Sequence, residues 1–129
     1  MIYLFSLIGP FFLLLVEKVL PYPYLVEEVY KFFLAKPSNS TKVSIILGLL
    51  FSLSEAVFYL LNPNFSIFST NMAGQAPLIN YSLLRLITVT PMHISTILIM
   101  QYLNKKSLSW LGLILAVAIH YLFNSLSTF

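Results

Sequence analysis

The sequence predicts an all-α integral membrane protein, a polytopic transmembrane helix bundle of four to five spans within one domain, residues 1–129. Hydrophobic residues make up 59% of the 129 residues and charged residues only 9%, against about 25% in a soluble domain. The mean hydropathy is +0.90. Such a chain cannot cover a water-facing surface, which excludes an ordinary soluble domain, a disordered chain and a nucleic-acid-binding module. The absence of cysteine excludes disulfides and thiol nucleophiles.

Five apolar segments are candidates for the spans, at about 20 residues per full crossing. In chain order they are residues 1–16, 24–35, 42–61, 80–103 and 109–129. Pro21-Tyr22-Pro23 separates the first two, because proline removes a backbone donor and fixes φ. The second segment is short and charged, so it either crosses as a short span or leans into the bundle. Trp110 opens the last span as an interfacial anchor.

Lysine residues predict the orientation of the bundle. Lys36 and Lys42 flank one connection, and Lys105 and Lys106 form another. The connection from residue 62 to residue 80 contains no lysine or arginine. The positive-inside rule therefore places the two lysine-bearing connections in the cytoplasm and the C-terminus outside.

A few polar side chains interrupt the apolar segments, and the depths of four of them agree. They are Glu27, Glu28, Lys31, Glu55, Arg85, His93, His120 and Asn124. An ionisable residue at membrane depth costs about 2.5–3.5 kcal/mol on insertion scales, and such residues usually face the bundle interior and mark a site. With a rise of about 1.5 Å per residue, the glutamates at 27 and 55 and both histidines fall roughly 9–20 Å below the outer boundary. We therefore expect one polar site near mid-membrane.

Spacing within the segments adds pairs that share a helix face. Glu27 and Lys31 are four residues apart, so Lys31 can neutralise or orient the carboxylate. His120 and Asn124 have the same spacing and can project into one cavity. Arg85 lies near the outer end of its span, where a snorkelling or structural ion-pairing role is expected.

These motifs, in this order, resemble those of the PrsW-type proteases and the wider superfamily of CAAX-processing and bacteriocin-processing intramembrane proteases. Glu27-Glu28-Val29-Tyr30-Lys31 matches E-E-x-x-K, and Phe51-Ser52-Leu53-Ser54-Glu55 matches F-x-x-x-E. An isolated His93 and His120-Tyr121-Leu122-Phe123-Asn124, matching H-x-x-x-N, follow. Glu55 stands where type II CAAX endopeptidases have histidine, which favours the PrsW-like branch. The chain is shorter than typical members and is similar to a minimal core.

The resemblance implies hydrolysis of a peptide bond in a membrane-protein or lipidated-peptide substrate, with Glu27 as the general base. Glu28 and Lys31 would orient it. Two versions stay open. In one, Glu55, His93 and His120 hold a catalytic zinc with an open position for water. In the other, no metal is used: Glu27 and His93 activate water, and His120 and Asn124 hold the oxyanion.

Two other functions are compatible with the same residues. A polar cluster at mid-membrane is also typical of a small proton or cation transporter or channel subunit. An inactive member of the superfamily could instead bind and stabilise a membrane partner. The expected partners are membrane lipid and, for a protease, a membrane-protein or lipidated-peptide substrate, and no nucleic acid. The short chain also leaves room for homo-oligomerisation.

Overall fold

The computed structural model describes residues 1–17, 19–20, 22–36, 40–61 and 78–126. Within those ranges the chain forms five α-helices and no strand: α1 (Ile2–Glu17), α2 (Pro23–Ala35), α3 (Thr41–Leu61), α4 (Leu78–Lys105) and α5 (Ser109–Leu126). The prediction of an all-α chain is confirmed for this part of the sequence. Most of the predicted connection from residue 62 to residue 80 and the last three residues of the predicted final span lie outside the described residues.

Three of the described helices are long and apolar enough to cross a membrane. The qualifying stretches are Thr41–Phe58, Leu83–Lys105 and Ser109–Leu126, and they fit an integral membrane protein. The apolar stretch Ile2–Leu13 of α1 is shorter, and α2 has only 13 residues. At about 1.5 Å per residue, α2 is roughly 20 Å long against a hydrocarbon core of about 30 Å. Length and composition thus identify three of the predicted four to five spans.

Helices α3 and α4 form the most extensive interface of the bundle, and a glycine allows their close approach. A Cβ atom at Gly48 would lie only 2.8 Å from the Cα atom of Ile94. Helix α1 also contacts α3, where Ser6 Oγ donates a hydrogen bond of 2.8 Å to the carbonyl oxygen of Leu47. These contacts fix α3 between α1 and α4 and so place Glu55 inside the bundle.

An apolar core fills the half of the bundle where α2 and α4 end. Its buried side chains come from α2, α3, α4 and α5: Phe32, Ala35, Leu47, Ile97, Met100, Leu113 and Ala116. At the same end, Asn104 Nδ2 donates a hydrogen bond of 3.2 Å to the carbonyl oxygen of Lys36. The two lysine-bearing connections therefore lie together at one end of the bundle. Since Phe32 directly follows Lys31, this core closes the polar site from the lysine-bearing end.

Candidate functional site

Lys31 lies at the centre of a buried group of charged side chains. Its side chain is fully buried, and its Nζ atom lies 2.6 Å from Glu28 Oε1, from His93 Nδ1 and from Glu27 Oε1. The contact between Lys31 Nζ and Glu27 Oε1 is a close ion pair, but its angles do not meet those of a hydrogen bond. Both glutamates precede Lys31 by about one helical turn, so the periodicity of α2 places all three on one face.

His93 is held at both ring nitrogens. Because an ammonium group can only donate, Nδ1 of His93 accepts the hydrogen bond from Lys31. The ring proton of the neutral imidazole is then on Nε2, which lies 2.8 Å from Glu55 Oε2 and donates to it. The ring is completely buried and packs on Phe51 with centroids 5.0 Å apart. His93 therefore connects the glutamate of α3 to the lysine of α2.

Glu55 continues this network to α4. Its second oxygen, Oε1, accepts a hydrogen bond of 3.0 Å from Nε of Arg85, and Nη2 of the same guanidinium also contacts it. The Arg85 side chain is 29% exposed, so the network reaches the surface here. The expected structural pairing role of Arg85 agrees with this contact.

His120 approaches the two neighbouring glutamates from α5. Its Nδ1 atom lies 2.7 Å from Glu28 Oε1 and 3.8 Å from Glu27 Oε1. Since the carboxylate of Glu28 accepts, Nδ1 of His120 carries the proton and donates it. The other oxygen of Glu28, Oε2, is buried without a hydrogen-bond partner among the described residues. Glu28 thus holds the His120 ring in a fixed orientation toward Glu27.

A cavity of about 120 Å³ opens beside Glu27 and His120, large enough for several water molecules. Its polar wall also includes Glu55, Arg85 and Asn124, and its aromatic wall includes Tyr24 and Phe51. These residues come from the start of α2, the second half of α3, the first part of α4 and the end of α5. The cavity therefore faces the end of the bundle opposite the lysine-bearing connections.

The residues predicted from sequence converge, but they divide into two groups. Glu27, His120, Asn124 and Glu55 line the cavity. Lys31, Glu28 and His93 form a fully buried group behind Glu27. Asn124 is exposed and lies one turn beyond His120. It shares the wall of the cavity with the other residues.

Tyr24 is a cavity residue that the sequence analysis did not single out. Its ring lies 6.3 Å from the His120 ring. It stands three residues before Glu27, so the helical spacing was the available signal. The residues that α1 adds to the cavity wall, Pro10 and Leu13, carried no comparable signal.

The set of residues that could hold a metal differs from the predicted one. Within the described residues, one group has ligand atoms that all lie within 4.8 Å of one another: Glu27, Glu28 and His120. The sequence had instead predicted Glu55, His93 and His120. His93 is unsuited because its two nitrogens bind Lys31 and Glu55 directly. For the observed set, the ammonium group of Lys31 already contacts an oxygen of each carboxylate. A divalent cation on those same oxygens would meet strong repulsion from it.

Comparison with known proteins gives no match, whether with protein-family profiles, with curated proteins or with solved structures. The fold and the site define the class of protein on their own. The described part of the chain is all-helical and fits an integral membrane protein. It carries a buried, ion-paired cluster beside a small polar cavity. The resemblance to PrsW-type proteases stays a prediction from the motifs.

Proposed function

We propose that this protein is an intramembrane endopeptidase that hydrolyses a peptide bond of a membrane-associated substrate. The observation that carries the proposal is the cavity in which a carboxylate, an imidazole and an amide meet: Glu27, His120 and Asn124. Water and a peptide carbonyl at this position would meet a base and two hydrogen-bond donors, the minimum that amide hydrolysis needs. The order of the motifs along the chain supports the same assignment.

In the proposed reaction, Glu27 accepts a proton from a water molecule in the cavity while the water oxygen attacks the carbonyl carbon. In this proposal both ring nitrogens of His120 carry a proton, so Nδ1 keeps its hydrogen bond to Glu28 and Nε2 is left to donate. The tetrahedral oxyanion accepts hydrogen bonds from Nε2 of His120 and from the amide of Asn124. Glu27 then returns the proton to the departing amine, and the C–N bond breaks. Because Glu27, Glu55 and His120 are buried in the cavity wall, fixed donors there stabilise the developing charge more than water would.

The buried residues behind Glu27 act as positioning residues in this proposal. Lys31 orients Glu27, since its ammonium lies 2.6 Å from the carboxylate. Glu28 fixes the ring of His120 by the 2.7 Å hydrogen bond. We assign His93 a positioning role in place of the predicted activation of water. Both of its ring nitrogens contact other side chains, and it does not line the cavity.

The proposed mechanism uses no metal. Zinc would supply a polarised water, but Lys31 already pairs with both carboxylates of Glu27, Glu28 and His120, the described group whose ligand atoms lie within range of one another. Lys31 thus occupies the electrostatic role that a cation would take in a metalloprotease. With three carboxylates and two permanent cations in the network, a proton on His120 would bring the total charge to zero.

We further propose that all five helices belong to the membrane-embedded bundle and that the lysine-bearing end is cytoplasmic. Four lysines and no acid lie in or beside the two connections at that end, which is the arrangement that the positive-inside rule favours. The cavity would then open toward the outer leaflet. The cysteine-free chain allows a direct test: a cysteine in the variant Lys106→Cys should react with an impermeant maleimide only after the membrane is opened. Labelling of the variant in intact cells would show that the lysine-bearing end lies outside and would contradict the proposed orientation.

The proposed activity can be tested without knowing the substrate. Membranes from cells that express the protein, or its Glu27→Gln variant, are compared by proteome-wide identification of protein N-termini. New N-termini within membrane proteins should appear with the native chain and disappear with Glu27→Gln. The matched control is Glu17→Gln, the same change at the one acid of the sequence that has no part in the proposed mechanism or its network. Persistence of the same termini with Glu27→Gln would refute the proposal.

The transporter alternative makes a different prediction for the same cluster. Proteoliposomes that contain the native chain would show proton or cation flux, and the flux would be lost with Glu55→Gln. Flux of this kind together with unchanged N-termini would favour transport over proteolysis.

A further inference from the structure

A second cavity lies at the opposite end of the bundle from the candidate active site. It is an open groove of about 550 Å³ between the end of α2 and the turn that joins α4 to α5. Its apolar wall is mainly Phe32, Phe33, Leu108, Trp110 and Leu111, and Lys36 lies at its edge. Phe33 and Trp110 are 66% and 73% exposed, so the groove is accessible from outside the bundle.

The charge around this groove is entirely positive. Lys36 is exposed in its wall, and Lys105 and Lys106 are exposed on the adjoining turn. Glu55 is the only acid that follows Glu28 in the sequence, and it is bound to Arg85 in the other half of the bundle. Among the described side chains, the carboxylates of Glu27 and Glu28 pair with Lys31 and that of Glu55 pairs with Arg85, so none of them neutralises these lysines. The groove is therefore complementary to an anion with an apolar tail.

The walls of the groove are held in place by contacts between the two connections. Asn104 Nδ2 donates to the carbonyl oxygen of Lys36, and Ser109 Oγ donates to Asn104 Oδ1. The turn itself closes with a hydrogen bond of 2.9 Å from Leu108 N to the carbonyl oxygen of residue 103. The Trp110 ring stacks on Phe32 with centroids 5.9 Å apart. The aromatic wall and the charged edge thus form one preorganised surface.

We propose that this groove binds one anionic phospholipid, independently of the catalytic proposal. The phosphate group contacts Lys36 and the lysines of the turn, and an acyl chain lies along Phe33 and Trp110. An anionic headgroup gains about fivefold in affinity for each lysine near the membrane surface. A zwitterionic lipid gains less because its own cationic group accompanies the phosphate.

Trp110 is the only tryptophan of the chain, so its fluorescence reports on this groove directly. The full chain is reconstituted in phosphatidylcholine bilayers to which brominated phosphatidylglycerol or brominated phosphatidylcholine is added at equal mole fraction. We expect the brominated anionic lipid to occupy the site at least about fivefold more strongly, seen as stronger quenching of Trp110. Equal quenching by the two lipids would overturn the proposal.

Three variants separate a built site from diffuse surface charge. Lys36→Gln should reduce the preference for the anionic lipid by about fivefold, and Lys36→Arg should retain it. The control Lys42→Gln removes an exposed lysine at the same end but outside the groove wall, and it should leave the preference unchanged. An equal loss with Lys36→Gln and Lys42→Gln would contradict a specific site. Displacement of the lipid by inorganic phosphate alone would identify a soluble anion instead and overturn the lipid assignment.

Discussion

Lys31 Nζ and His93 Nδ1 lie 2.6 Å apart in the interior of the bundle, where neither side chain is accessible to solvent. The contact joins α2 to α4 across 62 residues of sequence. It defines the hydrogen-bonding state of both partners, since the lysine donates and the imidazole accepts. The same ammonium holds Glu27 and Glu28, so the contact couples the candidate base to the rest of the bundle.

Replacing Lys31 by methionine should destabilise the protein strongly. The variant Lys31→Met keeps most of the side-chain volume but leaves Glu27 and Glu28 buried without their cation. Removing one partner of a buried ion pair typically costs about 3–5 kcal/mol. The loss should appear as a lower unfolding midpoint of the detergent-solubilised protein. The control Lys105→Met changes an exposed lysine and should leave the midpoint unchanged. An unchanged midpoint for Lys31→Met would contradict the central ion pairs.

His93 should be a neutral imidazole with its proton on Nε2. The reason is that Nδ1 accepts from Lys31 while Nε2 donates to Glu55. Nitrogen NMR of protein labelled at histidine resolves the two tautomers, and the chain has only two histidines. The variant His120→Gln assigns the signals by removing one set. A proton found on Nδ1 of His93 would contradict the described network.

Asn124→Ala should slow cleavage without weakening the fold. Loss of one oxyanion donor typically lowers turnover by about 10²–10³-fold. The side chain is exposed at the end of α5, so its removal should leave the unfolding midpoint in place. The matched control is Ser125→Ala, whose hydroxyl bonds only to its own helix at the carbonyl oxygen of Tyr121. If Asn124→Ala and Ser125→Ala cleaved at the same rate, Asn124 would have no role at the oxyanion.

The purified protein should hold no stoichiometric zinc, and EDTA should leave its cleavage rate unchanged. This follows from the contacts of Lys31 with both carboxylates of the available ligand set. Elemental analysis makes the measurement. A content of about one zinc per chain, lost in His120→Ala, would instead establish a metalloprotease site.

Much of the fold could be predicted from the sequence because charge is so scarce in it. The five predicted segments match the five described helices to within a few residues at most ends. The depth of Glu27, Glu55 and His93 followed from the regular rise of a helix. The structure joins Glu27 to His93 through Lys31 and joins His93 directly to Glu55. The number of full crossings could not be settled in this way, because α1 and α2 are short.

The partners within the site could not be predicted. Sequence spacing places residues on a helix face, but the rotation of each helix about its own axis depends on packing with its neighbours. The glycine contact of Gly48 with Ile94 is one such determinant, since it fixes how α3 faces α4. For this reason the sequence grouped Glu55 and His93 with His120 as metal ligands, whereas the structure joins His120 to Glu28.

The most direct measurement of the central claim compares cleavage by four purified and reconstituted forms of the protein. These are the native chain, Glu27→Gln, His120→Ala and the double variant, assayed on a substrate identified by the N-terminal comparison. We expect Glu27→Gln alone to lower the rate by about 10²–10⁴-fold, because it removes the general base. The double variant should be no slower than the slower single variant, because both residues act on the same reacting group. Native rates of cleavage with Glu27→Gln would contradict the account.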